Sequence, residues 1–161
     1  MLKSESNNKT IRKKLLLALI PYTKQNALLI FKPNLFFDQL ESKTGYSQYN
    51  LKRAYERIKK DKIIRDTDHH IEILLKGQQI IQPFIAKKIP NNAILMVIFD
   101  IPEENADRRR KFRYLLRQLK FKQVQQSVWS TNMDYRDLLS ESIIDLKIES
   151  WTQLYESSRI Q

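Results

Sequence analysis

The sequence contains no cysteine, only two glycines and no long apolar run. Without cysteine the chain cannot form disulfides, thiolate zinc sites or a cysteine nucleophile, and this suits a reducing intracellular compartment. The longest apolar runs, residues 15–20 and 94–99, are far shorter than the roughly 18–20 residues that span a bilayer. We therefore expect a cytoplasmic protein without a membrane segment or a membrane partner.

Basic residues are in excess and are unevenly distributed along the chain. The 161 residues include 29 Lys and Arg against 18 Asp and Glu, a formal net charge of +11. Residues 1–93 hold 18 basic and 8 acidic side chains, whereas residues 94–161 hold 11 and 10. A concentrated positive field attracts polyanions, because phosphates that are neutralised release their counterions. The charge favours a nucleic-acid partner for the first part of the chain, although a solubilising surface has a similar composition.

Helix signals begin close to the N-terminus. Asn8 or Thr10 is the predicted N-cap of a first helix, which Pro21 ends. Residues 27–31 form a short apolar run that is typical of a strand. A second helix is predicted to begin at Asn34, which would serve as its N-cap.

A third predicted helix follows a tight turn at Gly45, begins after Ser47 as N-cap and extends to about Lys60. Its apolar residues recur at helical spacing: Leu51, Ala54, Tyr55 and Ile58. The opposite face is polar and basic, which suits the second helix of a helix-turn-helix motif in a major groove. On this face we predict contacts to base edges by Tyr49, Asn50 and Arg53. We predict phosphate contacts by Lys52, Arg57 and Lys60.

Two β-like stretches, residues 62–65 and 71–75, follow this helix and are joined by a polar turn. A hairpin at this place would be the wing of a winged helix. Arg65 and His69 are its predicted phosphate contacts. Turn, basic helix and hairpin in this order predict a winged helix-turn-helix DNA-binding domain at residues 1–84.

Residues 93–161 have the pattern of a small α+β domain. Residues 94–99 have the length and content of a strand that is buried on both faces, and Asp100 follows directly. An Arg-rich helix, one bent strand or two very short strands within residues 121–133, a further helix and a strand at 148–155 come next. This order suits a ferredoxin-like sandwich with both helices on one side of the sheet.

The open face of this predicted sheet needs a partner. A domain of this size, separated from the first by a linker at residues 85–92, buries little apolar surface by itself. Two copies that pair through the sheet would cover that surface and would place two recognition helices on a two-fold-related site. We therefore expect a homodimer that binds double-stranded DNA as a sequence-specific transcriptional regulator.

Two segments resemble a known family: residues 96–103, which read MVIFDIPE, and residues 125–129, which read QQSVW, with the Arg-rich helix between them. They resemble the PaaX-like transcriptional repressors. Those proteins join an N-terminal winged helix to a domain similar to the small CRISPR-associated endonuclease of spacer acquisition. The resemblance implies a repressor. The arginines at 108–117 could continue a DNA path or form a solvated face, and the near-neutral charge of this half favours the second.

The same resemblance leaves an enzymatic alternative open. In the CRISPR-associated endonucleases, the carboxylate that ends the first strand is proposed to hold a divalent metal, and the matching residue here is Asp100. Under this alternative Asp100 is a catalytic and Mg²⁺-binding residue, or the chain is a nuclease-like subunit whose partner is the CRISPR integrase. One carboxylate per chain is a poor metal site. We therefore favour a capping role for Asp100, or an ion pair with Arg108, without cofactor or catalysis.

Overall fold

The computed structural model describes residues 2–20 and 23–158, and the chain divides into two compact units, Met1–Ile81 and Gln82–Gln161. Helices and antiparallel sheets are both present. None of the described helices is long and apolar enough to cross a membrane.

Helices dominate the first unit, and a two-stranded sheet follows them. In chain order the elements are α1 (Leu2–Ala18), α2 (Lys24–Phe31), α3 (Pro33–Thr44), α4 (Gln48–Lys60), β1 (Ile64–Asp66), β2 (Ile71–Ile73) and α5 (Leu75–Ile85), which extends past the boundary. The core joins side chains from these helices and both strands, among them Leu15, Leu19, Phe36, Leu51, Ile58, Ile64 and Ile73. Helix, turn, helix and hairpin therefore follow one another in the predicted order.

The predicted start of the first helix is wrong. α1 begins at Leu2, so Asn8 and Thr10 lie inside the helix and do not cap it. Pro21, which was predicted to end this helix, lies outside the described residues.

Residues 27–31 form a helix and not the predicted strand. α2 begins after Thr23, whose hydroxyl accepts a hydrogen bond from the backbone N–H of Asn26 at 3.2 Å. The side chain of Asn26 is buried and donates to the carbonyls of Leu19 and Ile71 at 2.7 and 2.8 Å. It also accepts from the N–H of Ile71 at 2.9 Å. These bonds fix α2 against the end of α1 and against the hairpin.

The turn between α3 and α4 has the predicted chemistry. α3 begins at Pro33, so Asn34 lies in its first turn and is not the N-cap. Gly45 ends α3 with a φ of +72°, a conformation that glycine adopts without strain. Ser47 caps α4, because its hydroxyl accepts from the N–H of Asn50 at 3.4 Å. The boundaries of α4 are those predicted.

The second unit contains a four-stranded antiparallel sheet and two helices. Its elements are β3 (Ala93–Phe99), α6 (Ala106–Gln118), β4 (Lys122–Gln125), β5 (Val128–Thr131), α7 (Arg136–Leu146) and β6 (Thr152–Ser158), with strand order β4-β5-β3-β6. Residues 121–133 thus contain two short strands. A short helical turn, Glu149–Trp151, delays the last strand to Thr152. The element order is that of the ferredoxin-like motif.

β3 is buried on one face only, and not on both faces as predicted. On the buried face, Phe99 packs edge-on against Phe112 of α6, with ring centroids 5.3 Å apart. The opposite face, which we call the open sheet face, carries three half-buried side chains of β3: Ile94, Met96 and Ile98. The strand register places Ser130 and Tyr155 beside Met96 on this face. Helices on one side of an antiparallel sheet leave the other side uncovered.

The segment predicted as a linker, residues 85–92, is paired with the second unit. The N–H of Ile89 donates to the carbonyl of Asn132 at 2.8 Å, and the N–H of Asp134 donates to the carbonyl of Lys87 at 2.8 Å. Ile89 is buried. This backbone pairing makes the segment an ordered part of that unit.

Candidate nucleic-acid interface

α4 presents one face to the core and the other to solvent. Leu51 and Ile58 are buried, and Ala54 and Tyr55 are half-buried. The side chains predicted to contact DNA are exposed on this helix: Tyr49, Asn50, Lys52, Arg53, Arg57 and Lys60. A turn of roughly 100° per residue explains the separation of the two faces. Their contacts with DNA stay a prediction.

The guanidinium of Arg53 lies over the ring of Tyr49, with 5.5 Å between its central carbon and the ring centroid. Tyr49 is itself 68% exposed, so both groups project from the helix surface. A cation above an aromatic face is held in place electrostatically. The planar donors of the arginine are therefore partly oriented before any ligand arrives, and this geometry suits recognition of a base edge.

Lys52 occupies a different flank of α4. Its ammonium lies 5.6 Å from the ring centroid of Phe37 in α3. The structure therefore does not group Lys52 with Arg53 and Tyr49, although all three are exposed.

Asp66, the last residue of β1, ties the hairpin to α4. The hydroxyl of Tyr55 donates to one carboxylate oxygen at 2.8 Å, and the ammonium of Lys59 binds the other. Burial opposes ionisation of Asp66, but the hydrogen bonds from Lys59 and Tyr55 outweigh it and lower its pKa. The hydrogen bond to Asp66 also raises the pKa of Lys59. A lowered carboxyl pKa stabilises the fold above the ordinary value of 3.8, and this contribution is lost as the pH falls through the folded-state pKa.

The hairpin itself is acidic. Arg65 faces Glu72 across the two strands, and its Nε and Nη2 atoms donate to one carboxylate oxygen at 2.8 and 2.5 Å. His69 is exposed in the turn, close in sequence to Asp66 and Asp68. Arg65 is thus the one arginine or lysine among three carboxylates. The positive charge of α4 is therefore not continued on the hairpin.

Asp100 is exposed directly after β3. Its N–H donates to the carbonyl of Trp151 at 2.9 Å. Within the described part of the chain, its carboxylate makes no hydrogen bond or ion pair. Arg108 donates instead to the carbonyl of Lys147 at 3.0 Å. The capping or ion-pairing role that we favoured for Asp100 is therefore wrong.

Two acidic residues that follow Asp100, Glu103 and Asp107, form ion pairs with arginines. Glu103 accepts from Arg109 at 2.5 Å, and Asp107 accepts from Arg110 at 2.6 Å. Among residues 2–20 and 23–158, no cluster of three or more His, Cys, Asp or Glu side chains could hold a metal ion. A single carboxylate per chain leaves most of the octahedral oxygen ligands of Mg²⁺ to water, so the described residues of one chain do not form a dedicated Mg²⁺ cage.

The two segments that carried the sequence resemblance meet in space. The N–H of Phe99, in the MVIFDIPE run, donates to the carbonyl of Ser127, in the QQSVW run, at 3.0 Å. Residues 93–161 match the family model of the PaaX protein central Cas2-like domain. The match starts at the first residue of β3 and includes the whole four-stranded sheet.

The PaaX match supports the resemblance for the second unit and does not extend to residues 1–92. Comparisons with curated proteins and with solved structures give no match. The similarity therefore suggests a PaaX-like regulator, and it gives no information about the first unit.

Proposed function

We propose that the chain is a sequence-specific DNA-binding transcriptional regulator, a repressor that acts as a homodimer in the cytoplasm. The observation that carries the proposal is the exposed face of α4, where Arg53 lies over the ring of Tyr49. In this proposal α3 and α4 are a helix-turn-helix, α4 is the recognition helix and the β1–β2 hairpin is the wing. Tyr49, Asn50 and Arg53 would contact base edges.

The distribution of charge divides the roles of helix and hairpin. α4 carries five basic residues against Glu56, and three of them, Arg57, Lys59 and Lys60, lie in its last turn. Phosphate contacts are consequently assigned to Arg57 and Lys60, and to Lys52 on the other flank of the helix. The acidic hairpin contributes less through Arg65 and His69, because carboxylates beside them repel phosphates. Its main contribution is to hold α4 through Asp66.

The first prediction separates sequence readout from general affinity. Arg53→Ala should relax the sequence preference of the protein. It should also weaken binding of the selected duplex by about 1–3 kcal/mol, because a bidentate base contact is lost. Lys60→Ala should weaken binding of all duplexes by the same factor and reduce the salt dependence of that binding. The measurement is selection of duplexes from a random pool, followed by titration of selected and scrambled duplexes at several salt concentrations.

Arg53→Lys is the matched control, since it keeps the charge and loses the planar fork of donors. A loss of selectivity shared by Arg53→Lys and Arg53→Ala assigns the effect to that fork. If Arg53→Ala binds the selected duplex as tightly and as selectively as the parent, α4 is not the recognition helix.

A nuclease is the second candidate function, favoured by the Cas2-like match and by the exposed carboxylate of Asp100, which has no structural partner among the described residues. In this form the chain cleaves nucleic acid with Mg²⁺ or serves beside a CRISPR integrase. Since one chain offers a single carboxylate here, the metal site would combine the Asp100 carboxylates of two copies.

Our expectation is that neither the parent nor Asp100→Asn cleaves DNA or RNA in Mg²⁺, and that both bind DNA equally. Asp145→Asn, an equal charge change at an exposed position of α7, is the control. Mg²⁺-dependent cleavage by the parent and by Asp145→Asn, lost in Asp100→Asn, would establish the nuclease instead.

A further inference from the structure

A cavity of about 480 Å³ lies beside α4, and Lys52 is part of its rim. Leu29, Ile30 and Phe37, from α2 and α3, form an apolar wall, and Thr67 of the hairpin turn also lines it. Small-molecule sites in proteins have volumes of roughly 300–1,000 Å³ and mostly apolar walls. The cavity is large enough for a small organic ligand.

The charged groups at the rim restrict the chemistry of that ligand. Lys52 and Lys59 are balanced by Glu56 and Asp66, so the rim has no excess charge that would attract a polyanion. Lys59 is already bound to Asp66. Among the described residues no carboxylate lies within ion-pair distance of Lys52, whose ammonium faces the ring of Phe37. One available cation beside an apolar wall fits a molecule with an apolar body and a single acidic group.

We propose that this cavity binds a small amphipathic monoanion, and that its occupancy weakens the binding of DNA by α4. The second statement rests on the proposed DNA-binding function. The bound acid would hold Lys52, which is then lost as a phosphate contact. The ligand would also touch Asp66 and Thr67, so that it bridges the recognition helix and the hairpin. Coupling of this kind is reciprocal, so bound DNA must weaken binding of the ligand by the same factor.

The test uses 1-anilinonaphthalene-8-sulfonate, a fluorescent aromatic body with one sulfonate, and the full chain. The parent should bind the dye saturably. Lys52→Glu should weaken dye binding by about fivefold or more, which corresponds to the upper range of the contribution of an exposed ion pair. Lys60→Glu, the same charge change on α4 away from the cavity, should keep the dye affinity of the parent. Circular dichroism checks that each variant is folded.

Equal loss in the two lysine variants would overturn the cavity assignment. So would dye binding that Met96→Glu abolishes and Lys52→Glu leaves intact, because the dye would then occupy the open sheet face. In a second arm of the experiment, saturating dye should reduce the affinity of the protein for the selected duplex about fivefold. Unchanged duplex affinity overturns the regulatory half alone. Absence of any DNA binding without dye overturns the proposed function, while the dye titration still decides the cavity.

Discussion

Asn26→Ala should lower the free energy of unfolding by about 3 kcal/mol. Asn26 is 1% exposed, and its side chain satisfies the carbonyl of Leu19 and both the carbonyl and the N–H of Ile71. Alanine leaves these backbone groups without partners in a site that water does not reach. Each unpaired buried group costs roughly 1–3 kcal/mol, and partial relaxation keeps the total below the sum. The variant should also loosen the hairpin, because Ile71 begins β2.

Urea denaturation followed by far-UV circular dichroism measures the effect, since helices dominate the first unit. Both tryptophans, Trp129 and Trp151, belong to the second unit and report on it separately. Asn34→Ala is the matched control, because Asn34 is exposed in α3, and it should change stability by less than about 0.5 kcal/mol. Equal denaturation midpoints for the two variants would show that the network around Asn26 contributes nothing.

The features of α4 could be predicted because they are local. Ser47 as a cap, the turn at Gly45 and the spacing of Leu51 and Ile58 depend only on neighbouring residues, and all are present in the structure. The exposed face followed from the same spacing. In the second unit, the order of strands and helices was also readable, since long apolar or amphipathic segments dominate it.

α2 could not be recognised because its short apolar run fits a strand as well as a helix. What decides its conformation is distant in sequence: Asn26 bonds to Ile71, 45 positions further along the chain. A polar residue at the start of an apolar run gives no local signal for such a contact. The same limit applied to β3, where only tertiary structure shows that helices cover one face and leave Met96 on the other.

Within the candidate site, the missing information was the strand register and the packing of hairpin on helix. The register places Arg65, a predicted phosphate contact, opposite Glu72, and the two side chains form a hydrogen bond. Packing joins Asp66 to Tyr55 and Lys59, a network that no local pattern announces. For Asp100 the sequence predicted a pairing that the structure does not contain, because the expected partner Arg108 donates to a backbone carbonyl instead. Side-chain pairing between separate elements was the part that sequence reasoning could not supply.

Met96→Glu should convert the proposed homodimer to a monomer. Met96 lies in the middle of the open sheet face, between Ser130 and Tyr155. In a single chain the new carboxylate stays partly hydrated, because this position is only half-buried. Pairing two sheets face to face would bury two like charges without partners, which opposes association by several kcal/mol. Sedimentation equilibrium should give the mass of one 19.3 kDa chain, against twice that mass for the parent.

DNA binding by this variant tests whether dimerisation and recognition act together. Loss of the second half-site should reduce affinity for a two-site duplex by about 100-fold or more, since linked binding modules gain roughly that factor. Affinity for a single half-site should be unchanged, because α4 belongs to the other unit. Ile144→Glu, on the exposed side of α7, is the control and should leave mass and affinity as in the parent.

A Met96→Glu protein that stays dimeric would remove the open sheet face from the interface. One that becomes monomeric and still binds the two-site duplex like the parent would show that the two recognition helices do not act as a pair.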